Sequence, residues 1–173
     1  MNTTFTNTQI DLDSLPDYQE IHYTGVSVKR FYKVLFIQLI FFIAVTVGIF
    51  FLREVTDVPY LIPVLGAGII LFFLSAAGYQ YKLQQTLGYA IRDRDIAYRR
   101  GFIFEKTTVI PFNRIQHIST SASALDRIFK ISNLNIFTAG GSGSDIDIPG
   151  LTPELAARLK DKVANHIIDE DDA

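Results

Sequence analysis

The chain has 173 residues, 16 Lys+Arg against 18 Asp+Glu, a formal net charge of −2 and no cysteine. These counts exclude a disulfide scaffold, Cys-ligated zinc or iron–sulfur centres and thiol nucleophiles, and the weak charge argues against a dedicated nucleic-acid binder. The apolar share of 49% is ordinary as a bulk figure, but its placement excludes a wholly soluble protein, a disordered chain and a large multi-domain enzyme.

Residues 1–33 read as an N-terminal arm. Its first twenty residues are rich in Asn, Thr and Asp, with a turn signal at Leu15-Pro16-Asp17. His22–Arg30 then lead towards an apolar run, with Tyr23, Phe31 and Tyr32 where interfacial aromatics gather. Because 33 residues precede that run and no small-residue cleavage pattern follows it, a cleaved signal peptide is not expected.

Val34–Leu52 holds 16 apolar residues in 19, and Val58–Ala77 holds 15 in 20; neither contains a charge. A 19-residue helix rises about 28 Å, close to the ~30 Å hydrocarbon core of a bilayer. Fifteen Leu, Ile, Phe and Val residues in the first run favour insertion by about 5–9 kcal/mol. The remaining ~134 residues cannot wrap two such helices on all sides, so the pair predicts a two-helix membrane hairpin over 34–82. Gln38 lies in the first turns, where it can reach the interface. The second run is diluted by Pro59, Pro63, Gly66 and Gly68; Pro63 is a candidate kink. The five-residue link Arg53–Asp57 makes the helices antiparallel. Ala44 and Gly48 form a small-xxx-small pair that, with Gly66 and Gly68, would let the helices approach closely.

Lys29, Arg30, Lys33, Lys82, Arg92 and Arg94 lie on the side of the two termini, against Arg53 alone in the link. The expected topology is therefore a cytoplasmic-membrane protein with both termini cytoplasmic. No charge within either span marks an ion pathway or proton relay. Net charge is uneven along the chain: −2 over 1–57, +5 over 58–130 and −5 over 131–173. Asp169–Asp172 form an acidic tail at 169–173.

Over 83–168 the apolar period changes to two. Leu87–Arg92, Asp95–Arg100, Phe102–Ile110, Arg114–Thr120, Asn133–Ala139 and Asp145–Ile148 read as strands. Gly101 and Pro111 punctuate them, Leu125–Phe129 forms a short helical turn, and Gly140–Ser144 is a hairpin loop by composition. A closing helix is signalled by Thr152 as N-cap, Pro153 at the first position and Glu154 at the positive dipole end. Leu155, Leu159, Val163 and Ile167 give it one apolar stripe. The fold class is thus a membrane α-helical hairpin plus a small antiparallel β-barrel or curled sheet capped by a C-terminal helix.

The blocks Tyr89-Ala90-Ile91, Arg99-Arg100-Gly101, Thr108–Phe112, Arg114–Ile118, Ser123–Arg127, Thr138–Gly141 and Asp147–Leu151 occur in an order that resembles the YdbS-like family of bacterial membrane proteins with a pleckstrin-homology-like domain. The similarity covers the last half of the chain, and the hairpin fits the group's layout. The resemblance implies a small β-barrel capped by a helix and facing the cytoplasm. It implies no catalytic residues or cofactor, and association with a larger membrane protein carrying domains of the same type.

The candidate binding residues are Arg99, Arg100, Lys106 and Arg114, which could face anionic lipid headgroups or a partner at about 1 kcal/mol per cation; the plainer alternative is ordinary solvated charge. Arg99 and Arg100 point to opposite strand faces, so only one joins any single patch. Asp145 and Asp147 share a strand face, but two carboxylates are too few hard ligands for a metal. The Gly/Ser loop lacks the Lys-Ser/Thr ending of a phosphate cradle. His22, His117 and His166 are scattered. His117, Ser119 and Asp126 invite a triad, yet no nucleophile elbow surrounds the serine. The reading is a non-enzymatic membrane module that recruits a partner membrane protein, with anionic-lipid sensing as the alternative; no metal, nucleic acid or small-molecule substrate is implied.

Overall fold

The structure, a computed structural model, describes residues 21–52, 60–138 and 146–171. The arm over 1–20, the 53–57 link, the Gly/Ser loop with Asp145, and the end of the acidic tail lie outside the described residues, as do the side chains of His166 and Ile167.

Helix α1 spans Lys29–Leu52 and α2 spans Leu61–Thr86. Both exceed the charge-free runs, because the flanking Lys, Arg, Leu and Gln residues are good helix formers. Both are long and apolar enough to cross a membrane, and among the described residues none in the apolar window of either helix is buried. Helix α2 starts three residues later than the apolar run, which puts Pro63 in the first turn. The first i→i−4 bond runs from Val64 N to Tyr60 O at 3.2 Å, so Pro63 removes no helical bond and need not kink the helix.

The small residues do not draw the helices together. A Cβ added at Gly48, Gly66 or Gly68 would meet no atom within 4 Å, and Ala44 is exposed. Large rings occupy the interface instead: Phe42 and Phe73 meet edge to face at 5.1 Å, and Phe41 lies 6.1 Å from Phe73. Gln38 lines an apolar groove beside Phe42 and Phe73, where its Oε1 is buried without a partner, rather than reaching out to an interface.

The β domain is two separate antiparallel sheets, not a closed barrel, among the described residues. The first has the order β1-β2-β3-β4, with β1 at Thr24–Gly25, β2 at Gly88–Ile91, β3 at Asp95–Arg100 and β4 at Lys106–Pro111. The second has the order β5-β6-β7, with β5 at Ile115–Ser121, β6 at Ser132–Thr138 and β7 at Ile146–Leu151. Between them Pro111 cannot donate to a ladder. A 3-10 turn at Phe112–Arg114 carries the chain across, with Phe112 N bonded to Arg94 O at 3.0 Å. Strand β4 begins four residues later than its apolar run suggests. Gly101, at φ +102°, opens a tight loop through Phe102–Glu105 in which an added Cβ would collide with Phe104 O.

Helix α3 spans Ala124–Phe129 and α4 spans Pro153–Asp171. Thr152 caps α4 as expected, its Oγ1 accepting from Leu155 N at 3.4 Å. Ile96, Tyr98 and Ile110 of the first sheet form one core with Leu134, Ile136 and Ile148 of the second. Ala156, Leu159 and Val163 of α4 close it.

Candidate functional site at the helix–domain junction

Residues Thr24, Gly25 and Val26, which the sequence leaves as a lead-in, join the β domain. Thr24 and Gly25 pair with Tyr89 and Gly88, at the start of the strand that follows α2, and Val26 is buried in the core. The entry to α1 and the exit of α2 are therefore tied side by side. Gln84 of α2 holds them: its Nε2 donates to Val26 O (3.1 Å) and Ser27 O (3.2 Å), and its Oε1 accepts from Arg30 Nη1 at 3.1 Å. Ser27 N donates to Gly150 O at 2.9 Å, bringing β7 to the same point. Gly150 has φ +72°, and a Cβ there would lie 2.8 Å from Arg30 Cβ, so the arginine stem passes where only glycine leaves room.

A second tie joins α1 to α3. Lys33 Nζ lies 2.6 Å from Asp126 Oδ1. Asp126 is buried and also completes a capping box with Ser123: Ser123 N and Oγ donate to its Oδ2 at 2.9 and 2.7 Å, while Asp126 N donates to Ser123 Oγ at 3.2 Å. Burial pushes the Asp126 carboxyl up, but Lys33 and the Ser123 hydroxyl and amide together outweigh it and hold the group below the usual carboxylate range. Phe129 meets Phe36 of α1 at 6.0 Å between ring centroids, and Phe102 of the β3–β4 loop meets Tyr79 of α2 at 6.4 Å.

Between these ties is a cavity of about 470 Å³ lined by Arg30, Arg100, Lys106, Tyr98 and Asp147, with Leu83, Leu87, Phe104 and Pro149 as apolar wall. Tyr98 and Arg100 are two apart on β3 and share a face. Arg100 pairs directly across the ladder with Lys106, which sets two cations against each other at the cavity mouth. Neither forms a salt bridge among the described residues. Burial raises the Tyr98 hydroxyl to about 12, against the pull of Arg30. Burial likewise raises the Asp147 carboxyl, against the pull of Arg100.

Two of the four basic candidates thus meet, Arg100 and Lys106. Arg99 lies on the other strand face, its guanidinium 4.7 Å from the Tyr23 ring centroid and its Nε 3.4 Å from Glu105. Arg114 follows the far end of β4, about a strand length from Lys106. Arg30 is the residue that sequence reasoning counted only as a helix-end cation; its part in the cavity depends on β7 folding back against α1. The run Phe102-Ile103-Phe104 carried a usable signal: three consecutive apolar residues after a glycine do not alternate as a half-buried strand should. Asp126 is held by Lys33 and Ser123, and His117 stacks on Phe137 at 4.1 Å, so the three triad candidates do not assemble. No group of three or more His, Asp or Glu able to hold a metal occurs among the described residues.

Residues 34–167 match the family described as Bacterial PH domain. The chain is 34% identical over 76 residues to UPF0699 transmembrane protein YdbT of Bacillus subtilis (strain 168), covering 43% of this chain and 15% of that protein. It is 28% identical over 85 residues to UPF0699 transmembrane protein YdbS of the same organism, covering 48% of this chain and 52% of that one. The matches therefore span about half of one relative and a small part of the other. No solved structure matches. With two membrane-length helices leading into paired antiparallel sheets and a closing helix, and with the match running from the first helix into the last, this chain belongs to the bacterial PH-domain family and is a membrane protein.

Proposed function

We propose that the chain is a non-enzymatic membrane module, with both termini cytoplasmic, whose hairpin holds the PH-like domain in one orientation for a partner membrane protein. The junction carries this reading. Gln84 ties α2 to the segment after β1, Ser27–Gly150 ties that segment to β7, and Lys33–Asp126 ties α1 to α3, so the domain is clamped to the hairpin instead of hanging from a linker. A clamped domain offers a fixed face, which lowers the ordering cost of docking. Strand β4 ends the first sheet, its outer edge paired with no other strand among the described residues and Val109 exposed, and an extended segment of a partner can add there. YdbT supports a larger partner of the same type, since the similar segment is 15% of its length.

Extraction of the tagged full chain from its native membrane in mild detergent, followed by mass spectrometry, tests the reading. Recovery of a larger membrane protein with the same domain type is expected, and Val109→Lys should reduce it. Recovery of the bait alone counts against the partner.

A second reading, engagement of anionic lipid, is favoured by the opposed Arg100 and Lys106 beside the two membrane-length helices. It predicts that amide exchange over residues 98–106 of the full chain slows in bilayers containing anionic lipid, and less so at high salt. Exchange indifferent to lipid charge opposes it.

A further inference from the structure

Two apolar tips of the β domain reach back along the helices to the same level. Tyr79, against which Phe102 packs, lies seven residues before the end of α2; Phe36, against which Phe129 packs, lies seven residues after the start of α1. Seven residues are about 10 Å of helix. Both tips therefore stand about 10 Å beyond the helix ends in the direction of the membrane. Beyond those contacts the tips are bare: Phe104 is 88% exposed and Ile128 is 71% exposed, and Ile103 is exposed between Phe102 and Phe104. Gly101 fixes the loop that presents them. Large apolar side chains at this depth, beside Tyr79 and Tyr81, belong among acyl chains and glycerol backbones rather than in water.

The cavity opens directly behind the first tip, since Phe104 is part of its wall. Its other walls combine Leu83, Leu87 and Pro149 with Arg30, Arg100 and Lys106, against one carboxylate, Asp147. An apolar wall continuous with a membrane-inserted loop, and a net positive polar end, match a molecule with a phosphate at one end and acyl chains at the other. The opposed Arg100 and Lys106 repel each other across the ladder, and a phosphate between them offsets that repulsion.

We propose that the β3–β4 loop and α3 insert into the leaflet nearest the domain, and that the cavity of Arg30, Arg100, Lys106 and Tyr98 holds the phosphate of an anionic phospholipid headgroup. The proposal rests on the lipid reading alone and stands or falls apart from the partner. It also assigns Phe102–Phe104 and Ile128 as membrane anchors and leaves Arg99 and Arg114 outside the site.

The chain contains no tryptophan, so Phe104→Trp supplies a single reporter in the full chain. Reconstituted into nanodiscs of brominated phosphatidylcholine or brominated phosphatidylglycerol, the reporter should emit at a blue-shifted wavelength and be quenched by both lipids. In mixtures with one lipid brominated, phosphatidylglycerol should be favoured roughly thirtyfold, from about two net cations near the surface. Arg100→Gln with Lys106→Gln should bring that preference to within about twofold of none, while Arg114→Gln keeps it. Inorganic phosphate in millimolar excess should not displace the lipid; displacement would assign the cavity to free phosphate and overturn the lipid assignment. Water-like emission overturns insertion and the lipid reading together. Blue-shifted emission without a preference overturns the headgroup site while leaving the membrane docking standing. Circular dichroism keeps the variants interpretable: removing the two opposed cations together should leave or raise the melting temperature, and a fall together with lost preference refutes the placement of Arg100 and Lys106 as unpaired.

Discussion

Phe50 and Phe51 of the hairpin and Ile136 and Ile148 of the β domain are equally apolar, yet the first two are open to their surroundings and the second two are wholly buried. The difference lies in what completes each region. The β domain buries its apolar residues against its own second sheet and α4. The hairpin meets along ring-to-ring contacts such as Phe42 with Phe73 and Phe31 with Tyr81, and its outer faces, exposed among the described residues, need the bilayer. Polar groups divide the same way: they concentrate where the regions meet, at Gln84, Arg30, Lys33 and Asp126, because backbone and charge removed from water there must be paired within the chain.

The contrast breaks most visibly in the core. Leu134→Ala should lower domain stability by about 2–5 kcal/mol, whereas Ile43→Ala on the outer face of α1 should change it by under about 0.5 kcal/mol. Thermal melts of the full chain in micelles give both values, and comparable losses would mean that the helices are packed by protein. Lys33→Met comes next, at about 2–3 kcal/mol, because it leaves the buried Asp126 with Ser123 alone. Gly101→Ala should cost about 1–2 kcal/mol through the positive φ and the crowding by Phe104 O, with hydrogen exchange rising first in the β3–β4 loop.

The junction also gives stability a direction with pH. The Asp126 carboxyl is held below its ordinary range, so the folded state binds this proton less readily than the unfolded chain. Its contribution is complete above about pH 4, the unfolded carboxylate range, and is lost as pH falls through the lower folded value. Melting temperatures measured down that range should fall less steeply in Asp126→Asn than in the parent chain. Arg99→Ala is the smallest change, about 0.5–1 kcal/mol, for an exposed ion pair and a ring contact with Tyr23.

The hairpin was legible because 39 residues free of charge can be read one residue at a time. The strands from Asp95 and from Asn133 were legible because they alternate. Strand β1 was not: Thr24 and Gly25 carry no periodicity and become a strand only through Tyr89 and Gly88, more than sixty residues away. The last turns of α2, Tyr79–Thr86, hid for the opposite reason, since they are helical without being part of the apolar run. At the candidate site, Arg99, Arg100, Lys106 and Arg114 could be named by charge, and strand phase separates Arg99 from Arg100 without saying which of them joins the patch. Arg30 and Asp147 join them through tertiary contacts that no local pattern announces. The small-residue motif has no partner here, because the space beside Gly48, Gly66 and Gly68 stays open while Phe42 and Phe73 meet ring to ring between the helices.

The central claim is that hairpin and domain are one clamped body. The chain has no cysteine, so Phe36→Cys with Phe129→Cys can be cross-linked by a short bismaleimide in intact membranes without background. The clamp predicts rapid, near-complete intramolecular cross-linking of this pair, and none for Phe50→Cys with Phe129→Cys, about 20 Å farther along α1. Slow or partial cross-linking of the first pair, no better than the second, would contradict it.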